Sequence, residues 1–376
     1  MSRNDFRRRQ AQRQRRKLVR HLPIILALFL AFSALASGVF ALTRFVLNRQ
    51  PISSVSASFS TAKTASEDPA QPVSSPASGT LAQAAYIAAG YDYDRAIALI
   101  KEDSSLAEDP AALEAITSYE EAKASLLPAD VQNVPHVFFH SLIMDTDKAF
   151  DGDSRTPGYN SVMTTKDEFL KMLDAFYEDG YVLVRIRDIA SETTDENGNT
   201  VFSWGEILLP EGKKPLVMSQ DDVCYYPYME KDGFARRIVI VEDGKPTAEM
   251  VMEDGSISTG PYDLIPILED FIEEHPDFSY KGARAIIAFT GYEGILGYRT
   301  AASYSDSPNY EQDREQAAKV AQCLKDNGWE LASHSWGHLW MGVSSVPGET
   351  FKISDERFYT DTDKWEAEVE SLIGPT

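Results

Sequence analysis

Cysteine is scarce in this chain, and the shortage excludes one class of protein at once. The 376 residues include two cysteines, Cys224 and Cys323, which are too few for a disulfide framework. A single bridge between them stays open, although nothing in the sequence favours it. Cys323 lies in a helical pattern and is most simply a small buried apolar residue. Cys224 lies two residues beyond Asp222, where a role as metal ligand has little support.

Basic residues are few beyond the first 50 positions. Residues 1–50 hold 11 of the 36 lysines and arginines and one of the 58 acidic residues, so the rest of the chain has 25 basic and 57 acidic residues. A region this acidic repels phosphate groups, and we expect no nucleic-acid partner. A neutral or cationic partner suits it better. The hydrophobic fraction of 43% still provides a substantial core.

Charges are absent from the 19 residues 24–42, a length that suits a bilayer crossing. We expect a basic cytoplasmic tail over residues 1–22 and a membrane anchor over residues 23–47. Basic residues before the apolar run keep the N-terminus in the cytoplasm, which predicts a single-pass membrane protein with an extracellular main domain. A cleaved signal peptide is the alternative, because residues 34–36 resemble a cleavage site.

Composition and apolar spacing divide the rest of the chain. Residues 48–80 are rich in Ser, Ala, Thr and Pro, which is typical of a flexible stalk. Residues 81–130 have the spacing of a tetratricopeptide-like helical pair, and we interpret it as a spacer or docking element. Residues 131–376 alternate strands and helices, which favours parallel strands covered by helices. Residues 235–260 form a predicted hairpin insertion.

The main domain contains clear local signals for its elements. A capping box from Thr165 to Glu168 opens a helix that Gly180 ends. Asn197 and Gly198 predict a turn in the polar stretch 191–213. The expected strands are 137–139, 181–189, 214–220, 283–290 and 329–333, and the expected helices are 165–179, 264–271, 312–327 and a last one from about Asp361.

Two of these strands are followed by residues of the types that commonly bind metals. The strand 329–333 leads into His334 and His338, and the strand 214–220 leads into Asp221 and Asp222. Strand ends are where α/β folds keep their chemistry. Two neutral imidazoles and a carboxylate suit a divalent ion that keeps an open position for water. Two adjacent aspartates point in different directions, so one can bind the ion while the other accepts a proton from water.

These two segments carry a resemblance to a known family. The runs Ser219-Gln220-Asp221-Asp222 and His334-Ser335-Trp336-Gly337-His338 resemble the Thr-Phe-Asp-Asp-Gly and His-Ser/Thr-x-x-His motifs of polysaccharide deacetylases. That family is the NodB-homology type of carbohydrate esterase family 4. The run Phe138-Phe139-His140-Ser141-Leu142 resembles members from Gram-positive bacteria. The resemblance covers residues 134–376 and implies an α/β domain folded as a distorted (β/α)7 barrel.

The resemblance also implies a reaction and roles for residues. The reaction is removal of N- or O-acetyl groups from a sugar polymer, such as peptidoglycan. Asp221 would be the catalytic base. The metal ligands would be Asp222, His334 and His338, with Zn²⁺ as the expected ion and Co²⁺, Mn²⁺ or Ni²⁺ as alternatives. His140, Tyr225 and Trp336 are candidates to line the substrate.

The sequence departs from the family pattern at several points. Gln220 replaces an aromatic residue, and Val223 replaces glycine. The family's arginine motif and the Leu-x-His motif that supplies its general acid would follow the last helix. We therefore expect a C-terminally truncated chain and an incomplete barrel. Two other functions stay open, namely an impaired module that binds wall glycan or a protein partner, and a metal-dependent amidohydrolase that acts on a non-sugar amide.

Overall fold

The computed structural model describes residues 79–342 and 353–375. All of these residues belong to one unit, Gln71–Thr376. The predicted tail, anchor and nearly all of the predicted stalk lie outside the described residues.

Eleven α-helices are described in these ranges. They are α1 Thr80–Ala89, α2 Tyr93–Glu102, α3 Pro110–Ala124, α4 Thr146–Ala149, α5 Thr156–Val162, α6 Lys166–Glu178, α7 Ile186–Ile189, α8 Leu264–Glu274, α9 Tyr310–Asp326, α10 Asp355–Trp365 and α11 Ser371–Ile373. A π-helical turn, Glu366–Glu370, joins the last two.

Twelve strands are described in the same ranges. They are β1 Leu127–Pro128, β2 His136–Phe139, β3 Tyr181–Leu183, β4 Ala190–Thr194, β5 Thr200–Trp204, β6 Leu208–Leu209, β7 Lys214–Gln220, β8 Arg237–Ile240, β9 Pro246–Val251, β10 Ile257–Gly260, β11 Ile286–Phe289 and β12 Glu330–Ser333.

A parallel five-stranded sheet forms the centre of the domain. Strand β7 pairs with β2, β3 and β11, and β11 pairs with β12, all in parallel. No pairing joins β2 to β12 among the described residues. The expected mixed α/β class with a parallel sheet is present, whereas closure into a (β/α)7 barrel stays a prediction.

Strand β7 is central because its sequence can be buried on both faces. Every residue after Lys214 in this strand is buried, as expected for an almost continuous apolar run in a parallel sheet. Met218 belongs to the main core, which includes residues of the covering helices α6, α8 and α9. Val217 belongs to a second cluster with Tyr280. The fully packed strand therefore gives the following Asp221 and Asp222 a rigid base.

The predicted hairpin insertion is present and has a third strand. Strands β8, β9 and β10 form an antiparallel sheet within residues 237–260. The polar stretch after residue 190 also forms a hairpin, since β4 pairs with β5 around the predicted Asn197–Gly198 turn. The carboxylate of Asp195 accepts hydrogen bonds from the backbone N–H groups of Asn197 and Asn199 and so stabilises this turn.

Two predicted elements differ most from the structure. The strand expected over 181–189 ends at Leu183 and gives way to helix α7. The reason is local, because the Asp188 carboxylate accepts a hydrogen bond from the N–H of Arg185, which favours a helical turn over an extended chain. The last helix begins at Asp355, not near Asp361, because Ser354 caps the N–H of Arg357.

The predicted localisation is corrected. Among residues 79–342 and 353–375, no helix is both long enough and apolar enough to cross a membrane. The single-pass membrane location is therefore not supported by any described helix, and residues 23–47, on which it rested, lie outside the described ranges.

Candidate metal centre

The three strands β2, β7 and β12 end at the same edge of the sheet. Phe139 is in register with Gln220, and Phe289 of the intervening strand β11 is in register with Ser333. The next residues continue the ladder, because the N–H of Asp221 donates to the carbonyl of Phe139 at 2.7 Å. His140, the aspartate pair and His334 therefore leave the sheet side by side.

This edge brings together the three predicted ligands. Asp222, His334 and His338 each offer one ligand atom, and these atoms lie within 4.8 Å of one another. The carboxylate of Asp222 is 3.8 Å from Nε2 of His334 and 3.5 Å from Nε2 of His338. Ligand atoms around a tetrahedral Zn²⁺ lie roughly 3.3 Å apart. The two observed distances run to different oxygens, Oδ1 for His334 and Oδ2 for His338, and both are longer than that value.

The state of the Asp222 carboxylate also fits a bound cation. Its Oδ1 atom is buried and has no hydrogen-bond partner among the described residues. A buried carboxylate oxygen without a partner is costly, unless an ion or a water satisfies it. A divalent ion held by Asp222, His334 and His338 would satisfy this oxygen and leave a position open for water, so the residues present fit the expected group.

His140 is a third imidazole at the same carboxylate. Its Nε2 atom is 3.9 Å from Oδ2 of Asp222, and its side chain is 18% exposed, against 56% for His338. It was predicted to line the substrate, and the structure places it directly beside the ligand cluster. It directly follows strand β2, whereas His334 directly follows β12 at the other end of the strand order.

Backbone strain is concentrated around this centre. Asp222, Ser335 and His338 all have left-handed backbone conformations, with φ of 57°, 61° and 50°. Such conformations cost about 1–3 kcal/mol each in non-glycine residues and persist where surrounding contacts impose them. Their clustering at one carboxylate and one histidine loop indicates that the loops are shaped for the position of these side chains.

Asp221 points to different partners from those of Asp222. It is not part of the ligand cluster found among the described residues. Its Oδ1 atom accepts a hydrogen bond from Oγ of Ser219 at 3.1 Å, and that hydroxyl lies 3.0 Å from Nε2 of His136. The two adjacent aspartates therefore have different partners, and the left-handed backbone of Asp222 separates their side chains. Asp221 remains half-exposed and available to a water molecule at the edge.

Tyr225 does not line the open side of the site, and the prediction that it does is corrected. Its side chain is buried, and its hydroxyl donates to Oδ2 of Asp263. The same oxygen accepts from Nε2 of Gln220, while the other accepts from the N–H of Leu142. Burial raises the pKa of Asp263, although these hydrogen bonds act in the opposite direction. The network fixes both ends of the loop that carries the aspartate pair.

Sequence reasoning missed Asp263 because nothing local marks it. It precedes helix α8 and looks like an ordinary N-cap, yet its side chain makes no cap hydrogen bond. Its partners Gln220 and Tyr225 are 43 and 38 residues away in the sequence. An acidic residue next to a strongly apolar helix is the one signal that pointed to burial.

A row of aromatic rings flanks the metal centre. Tyr226 stacks on Tyr228 with centroids 5.5 Å apart, and Tyr292 contacts both Tyr226 and Trp336. The hydroxyl of Tyr292 donates to that of Tyr226 at 2.8 Å. Trp336 is half-buried, and Lys364 lies 4.1 Å over its ring. Trp336 thus lies beside the site with part of its surface packed in the core, and its role in lining the substrate stays a prediction.

The two cysteines are free thiols and take no part in this centre. Cys224 is buried, and burial raises the pKa of its thiol to about 12. A thiol binds a metal as the thiolate, so the buried Cys224 is a poor ligand. Cys323 is also free, and burial raises its pKa to about 11.

The histidine loop is held by a residue that sequence reasoning also missed. Both carboxylate oxygens of Asp361 accept backbone hydrogen bonds, one from Trp336 and one from Gly337, each 2.7 Å long. Asp361 lies four residues before Trp365 and eight before Val369, which are both buried. This helical spacing puts the acid on the buried face of α10, and it is the signal that could have identified the residue.

Comparison with known proteins adds no relative. No family model matches the chain. No curated protein and no solved structure matches it either. The resemblance to polysaccharide deacetylases therefore rests on the motifs in the sequence, and function has to be argued from the site.

Proposed function

We propose that this protein is a metal-dependent hydrolase that removes N- or O-linked acetyl groups from an acetylated polysaccharide. The observation that carries the proposal is the arrangement at the sheet edge. Three ligands of the right types converge there, and a second carboxylate, that of Asp221, lies next to them with separate partners. This pairing of an open metal position with an adjacent free base is what hydrolysis of an amide or ester requires.

The bound ion would polarise the acetyl carbonyl and make its water acidic enough to react near neutral pH. Asp221 is adjacent to the ligand Asp222 and accepts the proton that the water loses as its oxygen bonds to the acyl carbon. Ser219 donates a hydrogen bond to Asp221 and thereby orients the carboxylate. The acyl C–N or C–O bond then breaks, and acetate and a free amine or alcohol are released.

The leaving nitrogen or oxygen needs a proton, and His140 is placed to supply it. Its Nε2 atom lies 3.9 Å from Oδ2 of Asp222, yet His140 is not one of the three clustered ligands, which leaves its imidazole available for proton transfer beside them. His334 and His338 are committed to the ion and cannot serve. His140 therefore takes the role of general acid that the resemblance assigned to a later histidine.

The choice of a polysaccharide rests on the motif resemblance and on the surroundings of the site. The strongly acidic chain favours a neutral or cationic substrate over an anionic one. The aromatic row beside the centre offers phenol hydroxyls and the half-exposed edge of Tyr228, groups that commonly contact sugars.

The test is acetate release by the purified protein loaded with Zn²⁺. The substrates are acetylated chito-oligosaccharides, acetylated xylan and peptidoglycan, with a panel of small non-sugar amides alongside. Release from a glycan that stops after chelation and returns with Zn²⁺ is the expected result. Turnover of small amides alone would indicate the amidohydrolase instead. Metal binding without turnover of any substrate would leave a binding module.

A further inference from the structure

A buried carboxylate, that of Asp361, accepts two backbone hydrogen bonds from the loop between the two proposed ligand histidines. Asp361 is 8% exposed, and it accepts one hydrogen bond from the N–H of Trp336 and one from the N–H of Gly337. These two N–H groups are the ones between His334 and His338, apart from that of Ser335. Hydrogen bonds from backbone N–H to an ionised carboxylate are short and roughly twice as strong as neutral ones.

The other backbone contacts of this loop hold its ends and the carbonyl of Trp336, which accepts from the N–H groups of Gly291 and Tyr292, and they leave the two middle N–H groups to Asp361. The N–H of His334 donates to the carbonyl of Phe289, and the N–H of Leu339 donates to Oγ of Ser335. Ser335 and His338 have left-handed backbones, which an unsupported loop would relax. Relaxation of these residues would move the two imidazoles apart.

Gly337 leaves room for the same carboxylate because it has no side chain. A Cβ atom at this position would lie 2.9 Å from Oδ2 of Asp361, a distance that forces one of the two groups to shift. The absence of a side chain therefore lets the carboxylate reach the N–H of Gly337. The glycine at position 337 and the aspartate at position 361 are therefore both needed for this hydrogen bond.

We propose that Asp361 is the positioning residue of the metal centre. It holds the histidine loop in the ligand geometry before the ion arrives, so that binding does not have to order the loop. Outer partners of this kind are worth about 10–100-fold in metal affinity. The inference rests on the metal centre in the proposed function, but it does not depend on which substrate is hydrolysed.

The same helix provides a matched control. Asp363 is exposed and two residues away, so Asp363→Asn removes an equal charge from α10 without touching the loop. Asp361→Asn keeps the shape of the side chain but replaces one of the two accepting oxygens with an NH₂ group, which cannot accept a hydrogen bond from a backbone N–H. Gly337→Ala displaces the carboxylate from the other side and changes no charge.

The experiment uses the full chain and two readouts. Zn²⁺ affinity is measured by competition with a chromophoric chelator, and exchange of the Trp336 and Gly337 amide protons is measured in the metal-free protein. Asp361→Asn and Gly337→Ala should each weaken Zn²⁺ binding by about 10–100-fold and speed exchange at these two amides. Asp363→Asn should match the wild type in both.

The outcomes separate this inference from the proposed function. If the wild type binds Zn²⁺ and Asp361→Asn binds it as tightly with unchanged exchange, the inference is overturned. Faster exchange with unchanged affinity overturns it too, because Asp361 would then order the loop without tuning the centre. If the wild type binds no Zn²⁺, the proposed function fails as well.

Discussion

The hydroxyl of Tyr225 donates a 2.5 Å hydrogen bond to the carboxylate of Asp263, and both groups are sealed from solvent. Tyr225 is three residues beyond the ligand Asp222, and Asp263 begins a helix that packs in the main core. The contact therefore ties the loop of the aspartate pair to the centre of the domain. Gln220 belongs to the same network.

Removal of the Asp263 carboxylate should destabilise the fold. Asp263→Ala leaves the Tyr225 hydroxyl, the Gln220 amide and the Leu142 N–H without their acceptor, and each buried orphan costs about 1–3 kcal/mol. Tyr225→Phe removes one donor and should cost less. Urea unfolding measures both, with the half-exposed Tyr228→Phe as the control. Equal stability of Asp263→Ala and the wild type would contradict the network.

Stability should also depend on pH through Asp263. Its pKa in the folded protein is raised by burial above the usual value of about 3.9. A raised pKa means that the folded state holds the proton more tightly, so the contribution is complete below pH of about 4 and is lost as the pH rises through the folded pKa. Asp263→Asn cannot ionise. As the pH rises, the unfolding free energy of the wild type should therefore fall relative to that of Asp263→Asn. A difference between the two proteins that does not change with pH would contradict this.

Substitutions of Asp221 and Asp222 should have different effects on metal binding and turnover. Asp222→Ala and His338→Ala each remove a ligand, so they should lose metal and activity together, by more than the roughly 10–100-fold that an outer partner costs. Asp221→Asn should retain the metal and lose about 10²–10⁴ in turnover. Metal analysis and acetate release measure both. Loss of the metal in Asp221→Asn would reverse the two assignments.

His140 should matter most where the leaving group is poor. His140→Ala should lower turnover of an N-acetyl sugar by about 10²–10⁴, because the departing amine needs a proton. Hydrolysis of p-nitrophenyl acetate should change much less, since nitrophenolate leaves without protonation. The control is His275→Ala, which removes an imidazole packed against Tyr177 and Phe271. An equal loss with both substrates would indicate that His140 binds the metal and is not the acid.

The sequence predicted the parts of the site that local pattern can show. Apolar runs that end in Asp221–Asp222 and in His334 identified the strand ends, and parallel strands bring their carboxyl ends to one edge. Tyr225 was misplaced, because its nearness to the aspartate pair in the sequence does not show that its backbone is left-handed, with φ of 55°, and that its ring is buried.

The rest of the site depends on partners far along the chain. The contacts of Asp361 with Trp336 and Gly337 span 25 and 24 residues, and those of Asp263 span still more. Hydrophobic periodicity cannot pair such residues, since it reports the faces of one element at a time. The spacing of Asp361 from Trp365 shows that the acid is buried, but it does not show which amides it meets.

The proposed ligands follow the ends of separate strands, and that separation would tie metal binding to folding. Asp222 and His334 meet only after β11 has paired with β7 on one side and with β12 on the other. A nascent or partly folded chain therefore has no complete binding site. Zn²⁺ would bind only at the last stage of folding. It would stabilise the finished sheet without guiding its formation.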